Sequence, residues 1–551
     1  MSRRALSIAW GLPALALLAT CGLLGLFEPT ETRYAEIARE MLRSGDWIVP
    51  RLNGIAHFHK PPVAYWGSAA GMALAGVNEW GARLFGALAA GFTLWACVRL
   101  ARRLEGDATA ALAPVVLAST ALFAALSRQL STDLPLTACT AWFWVAYLGS
   151  RDRGDAAGGP ATGAAGTSRP SLIPFLALAA GFMTKGPIIF LHTLLPLLGA
   201  SLLTRGSETG AGAGAWRPLR SGRGWTLFAL LALPWYLVVV FGNQGLLAYF
   251  LENQIWARYA TTTHRRAGPW YYFAGVVFAG ALPWSIAAFG ELARRLRAGI
   301  RNVGFETALL LSWGVLPAIF FSTSGSKLPA YVLPDMVPIA ILVAAALRRA
   351  PRAFGWTAAL PLAVLAVATE WIGPRALANV MGATQAARLD LPALVHVAAA
   401  LWLLAAVALA VGRPRAGAWG AWAAFLALVL SAAPLAGPHG SPRALAQLVG
   451  RARDPHEPLV EFGEFNAGLP FYLDTRAILV DVPRDLQFGA ADGRPAEEQR
   501  ADIAALARRE GRVWLSARKG RADALAEEFD LVAEPIATWR GREMTILRPM
   551  E

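Results

Sequence analysis

Between residues 6 and 436 the chain keeps returning to stretches of about 18 or more residues in which apolar side chains run nearly unbroken. As a helix, such a stretch matches the hydrocarbon layer of a bilayer. Lipid offers the backbone no hydrogen-bond partner, so a spanning segment must be helical or belong to a closed barrel. The runs fall near 6–27, 81–101, 107–127, 133–150, 171–187, 188–204, 224–242, 271–290, 303–322, 328–347, 354–372, 392–411 and 417–436. They predict a polytopic α-helical membrane protein with about thirteen transmembrane helices. Only 16% of the residues are charged, against about a quarter in a soluble chain. The first run follows Ser2-Arg3-Arg4 and has no small-residue cleavage site before a soluble domain, so it reads as a retained first span.

The net charge of +14 could point to nucleic acid. The basic residues argue against that, because they sit in short clusters between apolar runs rather than along one face. Arg3/Arg4, Arg99/Arg102/Arg103, Arg151/Arg153, Arg217/Arg220/Arg223, Arg294/Arg295/Arg297, Arg348/Arg349/Arg352 and Arg413/Arg415 all fall on one side when the spans alternate. That side is the cytoplasm by the positive-inside rule. The segments 28–80, 128–132, 243–270, 373–391 and the tail from about 437 then lie outside. The apolar stretch 62–77 cannot be a further span without breaking this parity. It reads as a juxtamembrane helix at the outer interface, with Tyr65 and Trp66 at headgroup level. Residues 1–436 form the expected membrane domain, with 28–80 as its first periplasmic loop. Residues 437–551 are far more charged, and their short apolar runs alternate with helical patterns, which predicts a small soluble periplasmic α/β domain. Cys21, Cys97 and Cys139 lie within apolar runs and point to neither a disulfide framework nor a cysteine metal site.

Ionisable residues on the outer side carry the chemical signal. The first loop runs Glu28-Pro29-Thr30-Glu31-Thr32-Arg33-Tyr34-Ala35-Glu36-Ile37-Ala38-Arg39-Glu40-Met41, then Gly45-Asp46-Trp47-Ile48-Val49-Pro50-Arg51-Leu52-Asn53-Gly54, then His57-Phe58-His59-Lys60-Pro61-Pro62. Its first part is an amphipathic helix, with Tyr34, Ile37, Ala38 and Met41 on one face. Asp133 opens a span at the outer side, where it is either a first-turn acid or a reactive carboxylate. Glu31 carries the same two readings. Lys60, Lys185 and Lys327 are lysines that snorkel to headgroups or hold a phosphate. Arg258 and Arg265 lie outside, against the positive-inside trend, and a guanidinium fork suits phosphate oxygens. Tyr331 either lines a groove or packs. His59 is a candidate metal ligand, alone or with His57.

The three blocks of the first loop resemble the first periplasmic loop of bacterial aminoarabinose transferases of lipid A. These belong to the protein-O-mannosyltransferase-like branch of GT-C glycosyltransferases. Thr184-Lys185-Gly186-Pro187 and Ser326-Lys327-Leu328-Pro329-Ala330-Tyr331-Val332-Leu333-Pro334 extend the likeness. The chain departs from the family pattern at Thr30, where an Asp is usual, and at His59, where a Glu is usual. The resemblance implies transfer of a sugar from a polyprenyl-phosphate donor to a lipid or protein acceptor at the periplasmic face of the bacterial inner membrane. It also implies a divalent metal (Zn, Mn or Mg). In that setting Asp133 or Glu31 would take the acceptor's proton, and Lys60, Arg258, Arg265, Lys185, Lys327 and Tyr331 would meet the donor phosphate. His59 would serve the metal. An envelope oligosaccharide ligase or polymerase, or a secondary transporter, are the competing readings. A transporter would concentrate its ionisable residues at mid-span.

Overall fold

The structure is a computed structural model that describes residues 3–157, 171–205, 214–256, 268–298, 304–381, 391–481 and 496–550. Within these, the chain forms two compact units, Met1–Thr20 with Gly86–Ser431 and Cys21–Phe85 with Ala432–Glu551. This division differs from the linear one expected at 436/437. The first loop groups with the tail and not with the helices that flank it in sequence.

The first unit is helical, and each of the apolar runs is helical over most of its length. Among the described residues, five helices are long and apolar enough to cross a membrane: Glu79–Glu105, Gly222–Gly242, Phe305–Ser322, Pro351–Ala376 and Leu391–Ala410. Tyr272–Gly280 and Ser285–Arg297 make a sixth candidate, bent by 114°. The run at 107–127 is divided into Asp107–Ala110, Ala113–Ala118 and Ala121–Leu126. At the second break, the Ser119 hydroxyl bonds the Val115 carbonyl at 2.7 Å and the Thr120 hydroxyl bonds that of Leu117 at 2.8 Å. Such bonds compete with the helical ladder. The groups freed there meet the other broken helix: Ala121 N–H donates to the Leu282 carbonyl at 2.9 Å, and Trp284 Nε1 donates to Ser119 Oγ at 3.0 Å. Two interrupted helices thus satisfy each other where lipid could not. Trp144, Trp284, Trp313 and Trp402 are fully buried. Leu230, Phe241 and Trp371 are well over half exposed on apolar helices, as lipid-facing side chains are.

The second unit holds a five-stranded sheet. We number its strands after the hairpin pair β1 (Arg51–Leu52) and β2 (Ile55–Ala56): β3 (Leu459–Phe462), β4 (Ile478–Val480), β5 (Val513–Arg518), β6 (Leu531–Trp539) and β7 (Arg542–Pro549). The order is β4-β3-β5-β7-β6, with β4, β3 and β5 parallel and β7 antiparallel to both β5 and β6. One face packs Val460, Phe462 and Leu515 against Ile503 and Leu525. The other packs Leu459, Trp514 and Ile546 against Val449 and Leu469. The first loop contributes the amphipathic helix Thr30–Ser44, whose Ile37 and Met41 close a small core with Leu52, Tyr65 and Ala467. Its buried face is why the loop joins the tail. Arg39 fixes the junction, with Nε and Nη2 on Glu36 at 2.7 and 2.6 Å and Nη1 on Asp474 at 2.6 Å. Asn53 and Gly54, at φ +55° and +82°, make the two-residue turn between β1 and β2. The stretch 62–77 contains the helix Val63–Ala75.

Candidate functional site

Asp133 and Lys185 come together in the first unit. Asp133 is the first residue of helix Asp133–Ala157, and its N–H donates to Ser131 Oγ at 3.2 Å. Lys185 is the last residue of Ile173–Lys185, which ends at Gly186 with φ +73°. An acid at a helix start and a base at a helix end each suit the local dipole. Here the two side chains also form an ion pair, with side chains only 12% and 6% exposed. The Lys185 ammonium lies 5.1 Å above the centre of the Tyr331 ring, within cation–π range. Tyr331 sits in the 3-10 turn Pro329–Val332, held by ring contacts with Phe321 at 5.0 Å and Phe273 at 6.3 Å. A carboxylate, an ammonium and a phenol thus share one buried place. Withdrawing two ions from water costs several kcal/mol each, so such a pair marks a functional candidate more than a stabilising device.

Lys327 is turned to another task. Its Nζ donates to the carbonyls of Ser322 at 2.8 Å and Ser324 at 2.7 Å, closing the end of helix Phe305–Ser322. Cations favour such carbonyl ends. Of its three N–H groups, one is left for any other partner. Arg258 and Arg265 lie outside the described residues.

Beside the Asp133 group is a pair that the sequence reading missed. His192 Nδ1 lies 3.1 Å from Asp335 Oδ1, both side chains fully buried. Asp335 follows Tyr331 by four residues, His192 follows Lys185 by seven, and the His192 ring touches Phe321 at 5.8 Å. The pair therefore ties together the two segments that carry Lys185 and Tyr331.

In the second unit, Glu31 is committed to Arg83. Arg83 Nε and Nη2 each meet a Glu31 oxygen at 2.8 Å, and the Phe27 N–H donates to Glu31 Oε2 at 3.0 Å. Arg83 also takes the carbonyls of Cys21 at 3.0 Å and Gly25 at 2.9 Å. Both charged residues are at most 3% exposed. This is a clamp on the turn entering the first loop, a geometry unlike that of an acid waiting for a substrate. Lys60 is half-buried ahead of Pro61 and Pro62, near His57, His59 and Arg33. Burial, aided by the Arg33 and Lys60 charges, holds the His57 imidazole down to about 3, so it stays neutral. The His57 and His59 rings lie against each other, tilted by 44° with centres 3.9 Å apart. Among the described residues, no three His, Cys, Asp or Glu side chains are placed to hold an ion. Two imidazoles fall short of the three protein ligands a catalytic zinc keeps. The described residues therefore do not form a three-ligand zinc site.

Arg83, His192 and Asp335 did leave a trace in the sequence. Each is an ionisable residue inside an apolar run, which is itself a reason to expect a dedicated partner.

The family described as dolichyl-phosphate-mannose-protein mannosyltransferase matches residues 18–250. An undecaprenyl phosphate-alpha-4-amino-4-deoxy-L-arabinose arabinosyl transferase of Pseudomonas fluorescens is 34% identical over 351 residues, covering 61% of this chain and 58% of the relative. The Pseudomonas aeruginosa counterpart is 32% identical over 357 residues, covering 63% and 60%. The chain thus spans about three fifths of the length of the curated relatives it matches. ArnT from Cupriavidus metallidurans in the apo state superimposes with a TM-score of 0.80 at 25% identity, over 98% of this chain and 97% of that one. The same protein bound to undecaprenyl phosphate gives 0.82 at 24% identity, over 99% and 98%. The fold is that of the GT-C class of polytopic membrane proteins. Within that class the chain is similar to the bacterial aminoarabinose transferases and, over residues 18–250, to the protein-mannosyltransferase family, the likeness that the blocks of its first loop predict.

Proposed function

We propose that this chain is a glycosyltransferase of the bacterial inner membrane. It moves a sugar from an undecaprenyl-phosphate carrier to an acceptor at the periplasmic face. The names of the relatives support a 4-amino-4-deoxy-L-arabinose donor, a pentosyl unit. A lipid such as lipid A is the acceptor that the first-loop resemblance favours, and a protein hydroxyl is the other.

The observation that carries this reading is the buried Asp133–Lys185 pair under the Tyr331 ring. Glycosyl transfer from a lipid phosphate forms a bond between the acceptor oxygen and the anomeric carbon and breaks the bond to the phosphate oxygen. The acceptor loses a proton and the phosphate gains negative charge. Asp133 supplies an anion for the proton, and Lys185 supplies a cation for the phosphate. Tyr331 limits where the ammonium can move. The displacement is single and inverting. Lys60 is assigned to the donor phosphate, and on the sequence reading alone so are Arg258 and Arg265. Glu31 and Lys327 act through structure, and no step is routed through a metal.

The test is transfer in vesicles from a labelled undecaprenyl-phosphate sugar, comparing wild type with Asp133→Asn and Lys60→Ala. Transfer by wild type that falls in both variants is the expected result. Undiminished transfer in both removes the site assignment, and no transfer from any lipid-linked donor returns the chain to the transporter reading.

A further inference from the structure

A second feature of the helical unit lies at its arginine-rich end. Phe92, Trp95, Arg99 and Arg102 make one stripe along helix Glu79–Glu105, and Trp142, Val145, Gly149 and Asp152 make another along Asp133–Ala157. Both stripes step by three, four and three residues, the spacing of a single helix face. The stripes face each other. Trp95 and Trp142 meet edge to face with centres 4.7 Å apart, Trp142 Nε1 donates to the Phe92 carbonyl at 3.1 Å, and Trp10 stacks on Trp95 at 6.1 Å. Beyond these rings the helices part around a cavity of about 500 Å³ lined by Arg99, Arg102, Arg103, Val145, Gly149 and Asp152.

The lining itself holds three guanidiniums and one carboxylate, two further acids pair with Arg102 and Arg103 from its edge, and Arg99 supplies the charge that no described acid offsets. Asp152 pairs with Arg103, which also reaches Glu306 at 2.7 Å, and Arg102 pairs with Asp107 at 2.7 Å. These pairs are 40% or more exposed, and such surface contacts yield readily to a better partner. Arg99 makes no ion pair among the described residues. The volume falls within the range of small-ligand sites.

We propose that this groove binds an anionic phospholipid of the cytoplasmic leaflet, its phosphate on Arg99 and Arg102 and an acyl chain along Trp95, Trp142 and Phe92. The match is one of charge and polarity together. A cation cluster at the membrane edge opens onto an aromatic wall that runs toward the bilayer interior. This site is independent of the transfer reaction proposed above and shares no residue with it.

The experiment is native mass spectrometry of the full chain in neutral detergent, titrated separately with phosphatidylglycerol, phosphatidylethanolamine, undecaprenyl phosphate and inorganic phosphate. Phosphatidylglycerol is expected to bind with the highest affinity, and inorganic phosphate not to compete. Replacing Arg99 and Arg102 by Gln should weaken phosphatidylglycerol about fivefold per arginine. Gly149→Trp is the steric counterpart, since a side chain there meets no atom within 4 Å and grows into the cavity. It should abolish the high-affinity event while the protein stays monodisperse. Equal binding of the zwitterionic lipid, preference for undecaprenyl phosphate, or full retention of phosphatidylglycerol by folded Gly149→Trp would each overturn the proposal.

Discussion

Arg83 grips both carboxylate oxygens of Glu31 and, with its remaining N–H groups, the backbone carbonyls of the turn at Cys21–Gly25. The pair is buried on both sides, so removing either partner strands a charge away from water. Glu31→Gln should therefore destabilise the protein by about 3–5 kcal/mol, read as a lowered midpoint of thermal unfolding in detergent. Arg83→Lys, which keeps the charge pair with Glu31, should cost less. A Glu31→Gln protein that melts like wild type yet fails in transfer would restore the catalytic reading of this residue.

Asp133 and Lys185 should behave as one unit. Lys185→Met and Asp133→Asn are each expected to lower sugar transfer by about 10²–10⁴-fold, the range for losing a positioned proton acceptor. The double variant should be little worse than either single one, because members of a working unit are not additive. Independent, multiplying losses would show that the two do not act together.

His192 and Asp335 tie the Lys185 and Tyr331 segments, His192 at the end of helix Ile188–Leu191 and Asp335 at the start of Met336–Arg349. Asp335→Ala should cost about 1–3 kcal/mol, the penalty of an orphaned buried polar group. Asp335→Asn should keep most stability, since an amide can still meet the imidazole. The transfer rate should follow the same order, with turnover falling more than donor affinity. Equal turnover in Asp335→Ala would separate this pair from the site.

Glu461 gives the second unit a pH dependence. Its carboxyl is buried beside Arg542, and burial pushes it up to about 8 in spite of the 2.7 Å contact with Arg542 Nη2. Its folded value lies above the ordinary 4.5, so the folded state holds the proton longer than the unfolded one. The contribution is complete below pH 4.5 and is lost as pH rises through about 8. Hydrogen exchange of the β3 and β5 amides should quicken across that window. Glu461→Gln should flatten the profile, and an unchanged profile in that variant would assign the effect elsewhere.

How much of this was legible beforehand follows from what each feature depends on. The apolar runs are set by local composition, and each appears as helix. Their interruptions are tertiary: nothing in Ser119-Thr120 requires a break until the Leu282 carbonyl and the Trp284 indole stand ready to meet it. In the tail, β3, β4, β5 and β7 were readable as apolar runs. Strand β6 was not, because Glu534 and Pro535 interrupt it and it lies at the sheet edge with a bulge, where Pro is tolerated. The β1–β2 hairpin carried a plain signal in Asn53-Gly54. Of the site, Asp133, Lys185 and Tyr331 were brought together only by the resemblance; the residues alone name them one by one, since 146 residues separate Lys185 from Tyr331. Glu31 was ambiguous because an acid beside a helix start looks the same whether it awaits a substrate or an arginine 52 positions away.

Arg39 and Asp474 are 435 positions apart, and their contact bears on how the protein is made. A ribosome adds roughly 5–20 residues per second, so the first loop emerges roughly 20 seconds to a minute and a half before its carboxylate partner exists. During that interval the apolar face of Thr30–Ser44 has no tail to cover it. A late stop codon that spares every membrane helix would thus leave the earliest exported segment permanently uncovered, a ready target for envelope proteases.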